Sequence, residues 1–184
     1  LKADYWKPTQ SGSEPTTDLK VMKDITGLPD DRFHPETYNL TQPLSPHEAA
    51  RRDGIEIEMS NFQLPLTSRP LIVEGAGGLM VPLNTDNLVI DLIQQLNLPA
   101  ILVVRSGLGT INHTLLSLEA MRTRGIPVAG LIINGPKSPH NRHALEEYGE
   151  APIIAEIDHI DNVTPAALLS IKPEINLTDM KAAA

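Results

Sequence analysis

Apolar residues gather along this chain in four short runs, Leu71–Val73, Ala100–Val104, Val128–Ile133 and Pro152–Ile157. Runs of this length, rich in β-branched residues, predict buried strands. Helix-spaced patterns separate them. Asp86 to Leu96 carries apolar residues on one helical face, with Asp86 expected as the N-cap. Thr110 to Arg124 follows, closed by Gly125 at the left-handed position. Ser138 to Tyr148 has a capping serine, proline at the first helical position and Gly149 beyond its end. Strand and helix alternating in this way spell an α/β fold: a parallel β-sheet flanked by helices, with right-handed crossovers. Pro70-Leu71-Ile72-Val73 is expected to be covered on both faces.

Residues 13 to 69 are less regular. Ala3-Asp4-Tyr5-Trp6-Lys7-Pro8 reads as a strand that starts almost at residue 1. Asp18–Thr26 predicts a short helix ended by Gly27-Leu28-Pro29, and Ser45-Pro46-His47-Glu48 predicts a capping box opening a helix through Arg52. Pro-rich polar linkers surround both, in an excursion long enough to build a pocket. There is no internal repeat. The closing Lys181-Ala182-Ala183-Ala184 carries no discernible chemistry.

With 184 residues, 41% of them hydrophobic and 21% charged, one domain spanning 1–184 is expected. The net charge of −8 argues against a nucleic-acid platform, so an anionic ligand needs local positive groups. The absence of cysteine excludes disulfides, thiolate metal sites and Cys nucleophiles. No apolar run approaches the ~20 residues of a membrane span. A soluble, cytoplasmic protein without membrane or nucleic-acid partners is the expectation.

The chemistry gathers where strands end, because ligands of open α/β sheets bind outside the carboxyl ends of the strands. Val73-Glu74-Gly75-Ala76-Gly77-Gly78 sets a carboxylate among glycines there. Glycines admit a bulky anion to the backbone, and a carboxylate at that edge suits a hard cation such as Mg2+. Loop punctuation is the plainer explanation. Lys7, ahead of Pro8-Thr9-Gln10-Ser11-Gly12, could set an ammonium over a phosphate or carbamate, or could simply be solvated. Asp18 could be a metal ligand or a helix-end charge. Gly107-Leu108-Gly109 opening a helix makes an anion site or a tight turn, and His113 is better explained as a packing or interface residue than as a base. The Asn134 amide could read an adenine edge or close a turn. Lys7, Glu74, Gly107 and Asn134 each follow a predicted parallel strand, so all are expected at one crevice.

With those residues in place, the chain closely resembles the dethiobiotin synthetases, the ATP-dependent ligases of biotin synthesis. The motifs that carry the resemblance are Tyr5-Trp6-Lys7-Pro8-Thr9-Gln10-Ser11-Gly12, Pro43-Leu44-Ser45-Pro46-His47, Val73 to Leu79, Gly107 to His113 and Ile133-Asn134-Gly135. The resemblance implies a P-loop NTPase-like fold, a homodimer, Mg2+, and the substrates 7,8-diaminononanoate, CO2 and ATP. A carbamate of the diamine would attack the γ-phosphate, and the second amine would close the mixed anhydride to a cyclic urea. By the same match Lys7 is the catalytic lysine and Ser11 a substrate contact, while Asp18 and Glu74 are the metal carboxylates. Glu74, Gly75, Ala76 and Gly77, with Asp18, would line the nucleotide site. Asn134, Gly135, Asp158, His159 and Ile160 would form the adenine pocket. Gly109, Thr110, Ile111 and Asn112 would receive the substrate carboxylate from a neighbouring subunit.

One departure stands against this. No G-x-x-x-x-G-K-[ST] occurs in the chain, although the family's fold opens with a strand, that phosphate loop and a helix. The expectation is a chain lacking its first βα unit, inactive by itself. A catalytically silent domain of the same fold is the main alternative, disfavoured by the retention of Lys7, Ser11 and Glu74 together. An amidotransferase-type ligase is disfavoured by the missing cysteine and glutaminase domain. A dinucleotide-binding enzyme is disfavoured because no G-x-G-x-x-G follows a predicted strand.

Overall fold

The computed structural model of the protein describes residues 2–171, so the closing Lys181–Ala184 lies outside the described residues. The chain divides into two compact units, Leu1–Leu96 and Asn97–Ala184.

The first unit runs β1 (Asp4–Trp6), β2 (Thr9–Ser11), α1 (Asp18–Thr26), β3 (Phe33–His34), β4 (Tyr38–Leu40), α2 (Pro46–Asp53), β5 (Leu71–Val73) and α3 (Val89–Leu96). Its strands form a parallel sheet of order β3-β1-β5 and a parallel pair β2-β4. Its core packs Leu40, Ala49, Ile57, Phe62, Leu83 and Val89. Under β1, Asp4 is almost fully buried. It accepts from Arg32 Nε at 2.7 Å and Thr67 Oγ1 at 2.6 Å, with Arg69 Nη1 at 3.3 Å. The β1, β3 and β5 ends are thereby tied to one carboxylate.

The second unit runs β6 (Ala100–Arg105), α4 (Thr110–Thr123), β7 (Val128–Asn134), α5 (Pro139–Gly149), β8 (Ile153–Ile157) and α6 (Pro165–Ser170). Its strands pair in parallel in the order β6-β7-β8. Leu118, Leu131, Ile133 and Leu145 form its core. Parallel pairing of the named strands in both units agrees with the α/β expectation. Among the described residues no helix is long and apolar enough to cross a membrane.

Several local expectations need correction. Asp86 does not cap α3. Asn84 Oδ1 accepts the N–H groups of Asp86 and Asn87 at 3.0 and 2.8 Å, and Pro82 bridges Leu88, so this stretch is a tight turn. The helix starts at Val89, and Asp91 Oδ2 reaches back to the Leu88 N–H at 2.8 Å. The Ser45 capping box is not made: Glu48 turns instead to Arg51 and Arg52, at 2.8 Å each. Ser138 makes no side-chain cap, and α5 includes Gly149, leaving Glu150 at φ 47° to take the left-handed turn. Ile72 is half exposed rather than covered on both faces. The short strands β2, β3 and β4 and the helix α6 lacked apolar periodicity long enough to announce them.

Candidate active site

The register of one strand pair assembles the centre of the first unit. Tyr5 lies opposite Ile72 and Trp6 opposite Val73 on the parallel strands β1 and β5. The Glu74 N–H continues the ladder by donating to Trp6 O at 2.9 Å. One further step sets Lys7 beside Glu74, both just beyond the strands' carboxyl ends. Successive residues alternate faces, so Tyr5 and Lys7 share the face on which Glu74 stands.

Lys7 Nζ donates to Glu74 Oε1 at 2.8 Å and also to Asp18 Oδ2. The Lys7 side chain is only 9% exposed, whereas Asp18 and Glu74 are 47% and 43% exposed. An ammonium buried to this degree is thus flanked by two carboxylates that face solvent. Burial by itself would lower the Lys7 pKa; the hydrogen bonds to Asp18 and Glu74 outweigh it and raise the value above the ordinary lysine range. Lys7 is therefore a fixed cation, not a base.

The position of Asp18 follows from capping. Thr17 is the N-cap of α1, its Oγ1 accepting from Lys20 N at 3.3 Å, which leaves the Asp18 carboxylate free to turn to Lys7. Gln10 then anchors the helix start. Its Oε1 accepts the Asp18 N–H at 3.1 Å, while its Nε2 donates to Ser11 O at 3.0 Å and Gly12 O at 3.3 Å. Ser11 ends β2, and its hydroxyl is buried with no hydrogen-bond partner among the described residues.

Tyr5 completes the cluster. Its hydroxyl donates to Glu74 Oε2 at 2.6 Å. Burial first, and then that hydrogen bond, push the phenol far above its ordinary pKa, so it stays a neutral donor. Sequence reasoning missed Tyr5 and Gln10 as contributors. For Tyr5 the signal was present, since it lies on β1 two residues before Lys7, on the same face.

The donor set matches a shared hard cation. Asp18 and Glu74 bring a carboxylate oxygen each to one ammonium, and Mg2+ is held by one or two carboxylates together with substrate phosphates and waters. No group of three or more His, Cys, Asp or Glu that could hold a metal ion gathers among the described residues.

In the second unit the carboxyl ends of the strands are level: Arg105 pairs with Asn134 and Asn134 with Ile157. The Gly135 N–H donates to Ile157 O at 2.8 Å. Gly135 has φ 129°, and a Cβ there would lie 2.6 Å from Ser106 Oγ, so no other residue fits without displacement. Asn141 Nδ2 holds Ser106 O at 2.7 Å, fastening the loop after β6 to α5. Gly109, at φ 89°, turns this loop into α4, placing Thr110, Ile111 and Asn112 in the helix's first turn. N–H groups of a first turn have no intrahelical carbonyl to bond, and the helix dipole adds positive potential there. His113, one turn into α4, is exposed. A cavity of about 290 Å³ opens beside β6 and α4, lined by Val103, Arg105, Leu108, Thr110, His113 and Thr114 among others. Asp158 and His159 are exposed after β8, and Asp158 Oδ1 accepts the His159 N–H at 2.8 Å; Ile160 is half-buried.

The structure therefore brings Asp18 and Glu74 to Lys7 and ties the Ser11 backbone to the start of α1 through Gln10; in the second unit it sets Asn134 and Gly135 at the sheet edge.

The chain is similar to known proteins over most of its length. Residues 1–167 match a family model described as an AAA domain. The chain is 49% identical to the ATP-dependent dethiobiotin synthetase BioD of Paramagnetospirillum magneticum, over 94% of this chain and 83% of that protein. It is 44% identical to the BioD of Rhodopseudomonas palustris, over 91% of this chain and 79% of that one. It is also 48% identical to the biotin biosynthesis bifunctional protein BioCD of Bordetella avium, over 91% of this chain but 36% of that longer protein. With identity at this level spread over nearly its whole length, the chain belongs to the dethiobiotin synthetase family.

Proposed function

We propose that this protein is an ATP-dependent ligase of biotin synthesis that forms dethiobiotin from 7,8-diaminononanoate and CO2 in the cytoplasm. The single observation that carries the reading is the Lys7–Asp18–Glu74 contact at a strand-end edge, in a chain of that family. The residues offer the reaction what it needs. One amine of the diamine adds to CO2 and loses a proton, giving a carbamate. A carbamate oxygen attacks the γ-phosphorus of ATP and ADP leaves. The second amine then attacks the carbonyl carbon, phosphate departs, and loss of the amine proton leaves a cyclic urea.

Every one of these steps gathers negative charge on oxygens, and Lys7 is a cation that stays protonated. Its ammonium stabilises the carbamate and the transferring phosphoryl oxygens, and positioning with charge neutralisation accounts for most catalysis in such transfers. Mg2+, held by Asp18 and Glu74 when bound, neutralises phosphate charge. The buried, unpartnered Ser11 hydroxyl is short of a hydrogen bond worth about 1 kcal/mol, which a substrate group would supply. In the first unit, Glu74 to Gly77 suit nucleotide phosphates and their metal; in the second unit, Asn134, Gly135 and Asp158 to Ile160 suit an adenine. The start of α4, Gly109 to Asn112, takes the substrate carboxylate from the second subunit of a homodimer; its dipole supports that role in a chain of net charge −8.

Titration calorimetry of the full-length protein with Mg-ATP and with the diamine tests the proposal. Both ligands are expected to bind, each more tightly in the presence of the other. Absence of heat from either would overturn it.

A further inference from the structure

Glu74 is held at both oxygens, and only one of its partners belongs to the catalytic set. Lys7 takes Oε1 at 2.8 Å and the Tyr5 phenol takes Oε2 at 2.6 Å. The Tyr5 contact is a diagonal reach between parallel strands, from the residue opposite Ile72 to the residue just past the end of β5. Tyr5 is itself fixed: it is 6% exposed, and its ring meets the edge of Phe33 at 6.2 Å between centroids. Its hydroxyl has been carried into a buried position where it needs an acceptor, and that acceptor is a carboxylate 43% open to solvent. A half-exposed glutamate would otherwise sample several rotamers, at an entropic cost whenever it must adopt one.

We propose that Tyr5 is a positioning residue for metal binding, locking the Glu74 carboxylate in the orientation that receives the cation. The inference rests on the reading of Asp18 and Glu74 as the metal carboxylates. Tyr5 acts through its hydrogen bond to Glu74, as the outer partners of ligating carboxylates do. A phenol suits the task better than a second cation. It is a neutral donor, so it orients Glu74 without adding a positive charge to the one Lys7 already brings.

The test uses Mn2+ as a paramagnetic probe, titrated into the full-length protein with ATP present and followed by its free-ion resonance. Tyr5→Phe removes one oxygen and keeps the ring against Phe33. It is expected to raise the half-saturating Mn2+ concentration about tenfold, the low end of the effect of an outer partner. Phe33→Leu disturbs the packing and keeps the phenol. It is expected to lower the unfolding temperature while leaving Mn2+ uptake near that of the wild type. An unchanged Mn2+ titration in Tyr5→Phe, or an equal shift in both variants, reduces Tyr5 to a packing residue and overturns the proposal alone. Failure of the wild type to take up Mn2+ overturns the assignment of Asp18 and Glu74, and the role of Tyr5 with it.

Discussion

Lys7 and Glu74 meet at 2.8 Å although 67 residues separate them, because β1 and β5 are parallel neighbours that end level with each other. The contact joins a buried cation to a solvent-facing anion, and Asp18 closes the cluster from α1. The net charge of the three side chains is −1, a balance that changes sharply with the loss of the lysine.

Replacing Lys7 with Ala or Met leaves two carboxylates facing each other without their counter-ion. Dethiobiotin formation is expected to fall by at least about a hundredfold, the effect of removing one preorganised donor from a developing anion. ATP binding is expected to be largely retained. Single-turnover product formation beside calorimetry separates the two effects, and wild-type turnover would remove Lys7 from the mechanism.

Gln10 is a structural keystone for the same cluster. It is 4% exposed and spends both ends of its amide, on the Asp18 N–H and on the carbonyls of Ser11 and Gly12. Gln10→Ala is expected to destabilise the protein by about 1–3 kcal/mol in urea unfolding, since buried polar groups lose their partners. Gln10→Glu is expected to be worse, because an ionised carboxylate accepts only and would face two carbonyl oxygens.

Asp4 makes stability depend on acid. The Thr67 hydroxyl above all, then Arg32, His34 and Arg69, hold its carboxyl well below the usual carboxylate range, against the opposing effect of burial. A depressed folded-state pKa means that the unfolded chain binds the proton first as pH falls. The contribution of Asp4 is fully present above the unfolded value of about 3.9 and is lost progressively below it. Urea unfolding between pH 2.5 and pH 7, conditions set on the order of those carboxylate values, should show a steeper acid loss for wild type than for Asp4→Asn. Parallel curves would contradict this.

Gly135 tests the edge of the second unit. A methyl group there meets Ser106 Oγ at 2.6 Å, and φ 129° is a region reserved for glycine. Gly135→Ala is expected to cost about 1–3 kcal/mol in stability and to weaken ATP binding, as measured by thermal unfolding with and without nucleotide. An unchanged unfolding temperature in both conditions would show that the loop yields.

The sequence made the fold legible wherever apolar runs were long enough to show a period. The strands of the second unit are the clear case: Ala100, Val128 and Ile153 begin strands at or within a residue of where their runs begin. The early residues were harder, because β2, β3 and β4 are two or three residues long and owe their pairing to neighbours rather than to pattern. Helix starts failed where two polar side chains competed. Asn84 took the N–H groups of Asp86 and Asn87, the Leu88 N–H that Asp86 was expected to cap went to Asp91, and Glu48 chose arginines over the Ser45 backbone. At the site, strand ends picked out Lys7 and Glu74. Asp18 stood out less, because its role depends on Thr17 taking the cap. Tyr5 and Gln10 escaped notice because their function is to hold other residues, which becomes visible only once distances are known.

The most direct measurement of the central claim follows carbon and phosphorus together. Full-length protein supplied with the diamine, ATP and ¹³C-bicarbonate should release one ADP for each dethiobiotin, with the label in the ring carbonyl. ATP hydrolysis without labelled urea, or labelled urea without ADP, would contradict the account.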